Sequence, residues 1–188
     1  KSQTVISISS PIFCRSNTFA NFDLVRVVEE HGGECWLSDI GEWVWYTDDE
    51  QRRRLTEQGK RLGKDNTIRY IKSVIMRRDE HRLYAPFAED FIGYEEPHDV
   101  KDVLEMSKPY LPYTGALGEM VLSSGKTIYM YEKGADGIID ISPFTCMNGI
   151  VVEAVYPSLS KDLEDMPIRV FYFDGTQGDM ERDVGIFI

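Results

Sequence analysis

The chain has 188 residues, 42% of them apolar, with 21 Lys and Arg against 32 Asp and Glu, a net charge of −11. That length suits one ordinary domain around one hydrophobic core. The acidic balance argues against broad nucleic-acid binding, which needs phosphate-neutralising cations, and no apolar run is long enough to span a bilayer. Lys1 to Thr4 does not open a signal peptide. Three widely separated cysteines, Cys14, Cys35 and Cys146, make no disulfide framework, so the expected setting is the reducing cytoplasm. No CxxC pair is present, which excludes a self-contained zinc ribbon or complete iron–sulfur motif on spacing.

Along the chain, Thr4 to Ser9 reads as a first strand through Val5, Ile6 and Ile8. A loop is expected over Ser10 to Asn17, then a helix from about Asn21 to His31, ended by Gly32-Gly33. Glu34 to Ser38 reads as a second strand, completing a strand–helix–strand unit with the crossover length of a parallel pair. Thr47 with Glu50 has the capping-box pattern and is expected to open a long helical region. Within it Ile68, Ile71 and Ile75 have the spacing of a buried stripe. This region holds a basic cluster from Arg52 to Arg82, with 11 of the 21 basic residues against four acidic ones. Such a cluster suits an acidic partner or coenzyme phosphates, or is a solvated helix face. Asp99 to Ser107 and Gly115 to Glu132 are expected to be helical. Gly137 to Ile141 reads as a buried third strand, Gly149 to Leu159 as a helix, Ile168 to Phe173 as a fourth strand, and Asp179 to the end as a last helix. A chain that lacks an initial Met and ends on the apolar Gly185-Ile186-Phe187-Ile188 is expected to be a piece of a larger protein.

Strands alternating with helices imply an α/β domain spanning 1–188: an open, mainly parallel four-stranded sheet of the Rossmann-like, doubly wound kind, with a helical insertion over about 43–131. In such sheets ligands sit beyond the carboxyl ends of the strands, which singles out 9–17, 142–149 and 174–178. Cys146 is the best-placed chemical group. It lies between a buried strand and a helix, where the positive end of the helix dipole stabilises a thiolate, the form that both a metal ligand and a nucleophile require. The alternative is a small, half-buried hydrophobe. Cys35, at the start of a strand, reads as core, and Cys14 is open between the two. Covalent catalysis would need a base, and none of His31, His81 and His98 is paired with Cys146 by pattern. The first strand lacks GxGxxG, which disfavours a standard dinucleotide site. Asp174-Gly175-Thr176-Gln177-Gly178-Asp179 reads as a turn with Asp179 as helix cap, or as an anion-holding loop.

The segments Ala135-Asp136-Gly137-Ile138-Ile139, Pro143-Phe144-Thr145-Cys146-Met147, Pro167-Ile168-Arg169-Val170, Phe173-Asp174-Gly175 and Glu181-Arg182 resemble the C-terminal domain of 2-hydroxyacyl-CoA dehydratase subunits, and more nearly the activase-related, dehydratase-like proteins. Phe19-Ala20-Asn21, Glu30-His31-Gly32-Gly33-Glu34 and Glu42-Trp43 are similar to the same group. The resemblance implies that Cys146 is one ligand of a [4Fe-4S] cluster whose other ligands come from a preceding domain, so that this chain alone holds no cluster. It implies further domains of the same protein as partners, including an ATPase of the actin and Hsp70 type, and CoA thioesters as substrates of a lyase or of its ATP-dependent activase. The activase-related members have no assigned reaction. The competing expectation is a non-catalytic module that docks a partner through the basic helical insertion and the apolar C-terminus.

Overall fold

The computed structural model describes residues 4–9, 12–97, 99–112, 118–175 and 179–188. Four strands, β1 (Thr4–Ser9), β2 (Gly33–Leu37), β3 (Gly137–Pro143) and β4 (Ile168–Phe173), form one open, all-parallel sheet in the order β2-β1-β3-β4. The helices among the described residues are α1 (Ile12–Ser16), α2 (Leu24–Glu30), α3 (Gly41–Glu57), α4 (Lys64–Tyr84), α5 (Val100–Ser107), α6 (Met120–Glu132), α7 (Met147–Asp162) and α8 (Met180–Phe187). This is the expected α/β, Rossmann-like class. None of these helices is long and apolar enough to cross a membrane.

The chain divides into two compact units, one of residues 1–39 and 102–188, the other of residues 40–101. The first holds the sheet. An all-parallel sheet must be covered on both faces, and side chains alternate between faces along each strand. Ile6 and Ile8 of β1, Ile139 and Ile141 of β3, and Phe171 and Phe173 of β4 join Leu24, Val27 and Val28 of α2 and Val184 of α8 in one apolar core. The opposite face differs in chemistry. Ser7 meets Met130 of α6, the Ser9 hydroxyl is 3.4 Å from that of Ser123, Asp140 accepts from Tyr156 of α7, and the Tyr172 hydroxyl donates to Glu153 of α7. One layer of the unit is therefore hydrocarbon and the other is rich in hydroxyls. α6, which falls within the expected 43–131 insertion, belongs to the sheet unit and packs on β1 and β3.

Several local expectations change. The 10–17 stretch contains α1 rather than loop alone. The Asn21 side-chain amide, 3% exposed, donates to the Cys14 carbonyl at 2.7 Å, which satisfies an end of this one-turn helix. The following helix begins at Leu24, not Asn21, because Phe22 and Asp23 have φ of 53° and 57°, a left-handed pair that no helix accommodates. α7 starts two residues earlier than expected, at Met147. Residues 115–117 of the expected 115–132 helix lie outside the described residues; the described helix starts at Met120. Asp179 caps α8 as expected, accepting from the Arg182 backbone N–H at 3.3 Å.

The second unit contains α3 and α4. α3 opens at Gly41, so Thr47 and Glu50 are interior residues and not a capping box. The Thr47 hydroxyl donates to the Val44 carbonyl, and Glu50 pairs with Arg53. The two helices run antiparallel, with Arg69 paired to Asp48, Trp45 Nε1 donating to Glu80 at 2.6 Å, and the Arg77 guanidinium 4.7 Å from the centre of the Trp45 ring. Positions 69, 77 and 80 share one side of α4. At about 100° per residue, Ile68, Ile71 and Ile75 project from the other side. They are 43%, 52% and 46% exposed, so the expected buried stripe is not buried. Their spacing is helical, but the helix turns its polar and cationic side to α3.

Gly125 of α6 tests how tightly the sheet unit is built. A Cβ placed there would collide with the Val103 backbone carbonyl. Gly→Ala in a helix ordinarily gains about 1 kcal/mol, but a backbone atom cannot swing aside, so overpacking should win. Gly125→Ala is expected to lose about 1–3 kcal/mol in denaturant unfolding. An unchanged or raised midpoint would contradict the close approach of α6 to residue 103.

Candidate functional site

The strand order places the reversal of direction between β1 and β3, the point at which open α/β sheets form a crevice at their carboxyl ends. Two of the three expected stretches converge there: the α1 segment after β1, and the β3–α7 connection. The third, after β4, lies at the sheet edge, and its residues 176–178 are outside the described ones.

The β3–α7 connection is a tight turn. The Cys146 N–H donates to the Pro143 carbonyl at 3.0 Å, and Thr145 in the third position has φ of 69°. A positive φ at that position defines a type II turn, which favours Gly or Asn. A β-branched residue there is strained, at a cost of order 1–3 kcal/mol. The turn delivers Cys146 to the N-cap position of α7, where it is half-buried and makes no side-chain capping bond. Gly149 then lets the first turn of α7 settle on β3, since a Cβ there would strike the Ser142 side chain.

Cys14 lies on α1, 2% exposed, and joins the apolar core. Burial pushes its thiol up, and the negative charges of Cys146, Glu119 and Asp140 push in the same direction. These four groups therefore share one electrostatic neighbourhood. Cys35 is partly buried against the same core, and its thiol points to the Val25 carbonyl at 3.7 Å. Burial, with Glu29 nearby, raises it to about 12. Cys35 pairs with Ile6 in the body of the sheet, away from the carboxyl edge. His31 Nδ1 lies 2.8 Å from the Val27 carbonyl at the end of α2, His81 is on α4, and His98 lies outside the described residues.

Sequence reasoning missed Asp140. It sits in the middle of β3, 2% exposed, and its Oδ2 accepts from the Tyr156 hydroxyl at 2.6 Å. Burial raises the carboxyl from 3.8 to about 7; the Tyr156 hydrogen bond opposes the rise, Glu119 adds to it and Arg15 opposes it. Burial and the Asp140 charge likewise lift Tyr156 well above its ordinary range. The available signal was an acid inside a run of buried strand residues, Ile138-Ile139-Asp140-Ile141, where an unpartnered charge is not tolerated. Arg15, 6% exposed, reaches the Asp39 carbonyl at 3.0 Å, and Lys126 of α6 is fully buried.

Among the described residues, no three His, Cys, Asp or Glu side chains gather as a metal-holding group. At the crevice edge Cys146 is a half-buried thiol that could serve as a single ligand, while Cys14 is buried in the apolar core. No protein-family model, curated protein or solved structure matches the chain.

Two outcomes follow from this geometry. In timed alkylation of the folded protein, Cys146 is expected to react well ahead of Cys14 and Cys35; labelling no faster than Cys35 would remove it as a reactive edge group. Asp140 gives a pH signature. Its proton is held to higher pH in the folded than in the unfolded chain, so its stabilising contribution is fully present below about pH 4 and lost as pH rises through 7. Asp140→Asn keeps an acceptor for Tyr156 and abolishes this loss. The stability difference between variant and wild type should grow by a few kcal/mol across that interval, and parallel pH–stability curves would show Asp140 to be ordinary.

Proposed function

We propose that this chain is the α/β domain of an activase-related, 2-hydroxyacyl-CoA dehydratase-like iron–sulfur protein, and that Cys146 supplies one ligand to a [4Fe-4S] cluster completed by another domain. The observation that carries the reading is the placement of Cys146. A strained turn holds its half-buried sulfur at the N-cap of α7, beside the crevice between β1 and β3. A cluster ligand must be a thiolate at an accessible edge, and strain concentrates where position matters. In this proposal Cys146 is the one ligand this domain contributes, and no chemical step is assigned to its residues alone. The cluster supplies one-electron chemistry when bound; acting on a CoA thioester and coupling to an actin/Hsp70-type ATPase belong to the same proposal.

A second reading, a partner-docking module, is favoured by one observation. α4 carries Ile68, Ile71, Val74 and Ile75, each between 43% and 52% exposed, on one side of a basic helix. Contiguous exposed apolar surface is the usual mark of an interaction site.

Iron and sulfide content separates the readings. The larger protein that contains this domain, produced without oxygen, is expected to bind iron and sulfide and to absorb in the visible. Cys146→Ala should lower the iron bound while leaving the melting temperature within a few degrees. A protein without iron, or one whose iron is indifferent to Cys146→Ala, leaves the docking module as the better account.

A further inference from the structure

The hydroxyl-rich face of the sheet ends in a small pocket of about 10 Å³ between β3, α6 and α7. That volume holds about one water molecule or one monatomic ion. Five polar side chains line it: Glu119, Ser123, Asp140, Ser142 and Asn148. Ser142 is 1% exposed, and its Oγ has no hydrogen-bond partner among the described residues. A buried hydroxyl in that condition is costly unless a guest in the pocket satisfies it. Two glycines make room for the lining groups. A Cβ on Gly149 would strike the Ser142 Oγ, and one on Gly118 would strike the Asn148 side-chain amide.

The lining decides the class of guest. Each of the five side chains can present an oxygen, two of them are carboxylic acids, and no Lys, Arg or His among the described residues lines the pocket. An anion would meet Glu119 and Asp140 together and is excluded by repulsion. The charge of Glu119 bears on Asp140, so the two acids share this space. The Arg15 charge reaches Asp140 as well, from α1 rather than from the lining. The Tyr156 hydroxyl donates to Asp140 Oδ2 at 2.6 Å, and the Ile141 backbone donates too. A carboxylate has about four accepting sites, so capacity remains for a third partner. A water could satisfy Ser142 but would leave two acids together in a closed space. A divalent cation takes a lone pair from the hydroxyl and offsets both carboxylates. Only two of the five donors are acids, and neutral oxygens complete the set, as hard cations allow.

We propose that this pocket is a hard-cation site, in which Glu119, Ser123, Asp140, Ser142 and Asn148 supply oxygen to a single Ca²⁺ ion that ties the starts of α6 and α7 to the end of β3. Ca²⁺ takes about six to eight oxygens in flexible geometry, which five side chains approach when a carboxylate binds through both oxygens. Mg²⁺ demands a near-ideal octahedron and keeps several of its waters, and a pocket of one-water size has no room for them. The site needs neither Cys146 nor a cluster.

The test uses this chain after a chelator has stripped it of metal. Binding of Ca²⁺ and of Mg²⁺ is measured by equilibrium dialysis and calorimetry, and the melting temperature is read with each ion and with none. The expected result is one Ca²⁺ per chain, bound at least about ten-fold more tightly than Mg²⁺, with a melting temperature several degrees higher when the site is filled. Ser142→Ala and Glu119→Gln should each weaken Ca²⁺ by about ten-fold or more, since even partners outside the coordination shell have effects of that size. In the metal-free chain Ser142→Ala should leave the melting temperature unchanged or raise it, because it removes an unsatisfied hydroxyl. Glu119 is half-buried at the edge of α6, so its variant is expected to fold and keeps the test intact if Ser142→Ala does not. No binding at millimolar Ca²⁺ would overturn the proposal and leave the pocket to a water. Several weak ions per chain, indifferent to both substitutions, would overturn it in favour of the acidic surface. Mg²⁺ bound as tightly as Ca²⁺ would overturn it too. Iron content of the larger protein is read separately, so failure of the cluster reading is distinct from failure here.

Discussion

Burial of Asp140 is the constraint on which the sheet unit turns. β3 lies between β1 and β4 and is covered on both faces, so a carboxyl in its middle must be neutralised, hydrogen-bonded or both. The structure supplies Tyr156 from α7 at 2.6 Å. That bond fixes the position of α7 along the strand, and the missing Cβ of Gly149 lets its first turn approach Ser142. With α7 so placed, its N-terminus falls at the carboxyl end of β3, and Cys146 comes with it. The position of the edge thiol is thus set by a buried polar contact as much as by the turn that precedes it.

The two faces of the sheet divide the work. The α2 and α8 side is an apolar core and supplies the hydrophobic stabilisation. The α6 and α7 side carries Ser7, Ser9, Ser123, Ser124, Thr127, Asp140 and Ser142, all buried. Each must find a partner, and several do so across short distances: Ser124 with Ser107 at 3.0 Å, and Thr127 with the Ser123 carbonyl at 2.8 Å. A polar layer of this kind is less forgiving than a hydrocarbon one, because removing one member strands another. Positions on this face, rather than in the apolar core, are where substitutions should change ionisation as well as stability.

The helical unit follows a different logic. Its buried side chains include Tyr46, Leu55, Asp49 and Arg69, and Asp49 gathers Arg52 and Arg53 within 3.2 Å. Much of the basic run therefore neutralises acids of its own helices. This weakens the simple view of a free cationic surface, while the exposed isoleucines of α4 strengthen the view of an apolar one.

The sequence by itself determined the strands and the class of fold. Ile6 and Ile8, Ile138 to Ile141 and Ile168 to Phe173 lie in runs rich in β-branched and aromatic residues, the types that fit a pleated, buried surface, and in this fold the context agrees with them. It also located Cys146 between a strand and a helix, because Pro143 marks the end of an apolar strand and Asn148-Gly149 the turn toward a helix. Only the tertiary structure decided which face each side chain meets. The helical spacing of Ile68, Ile71 and Ile75 is the same whether α3 lies on that side or the other, and periodicity carries no information about the neighbour. The left-handed pair Phe22-Asp23 shortened α2 in a way that residue type does not foretell. Asp140 is marked in the sequence as an acid in an apolar run, but its raised titration range comes only when β1, β4, α6 and α7 close around it and remove the water that would have held its charge.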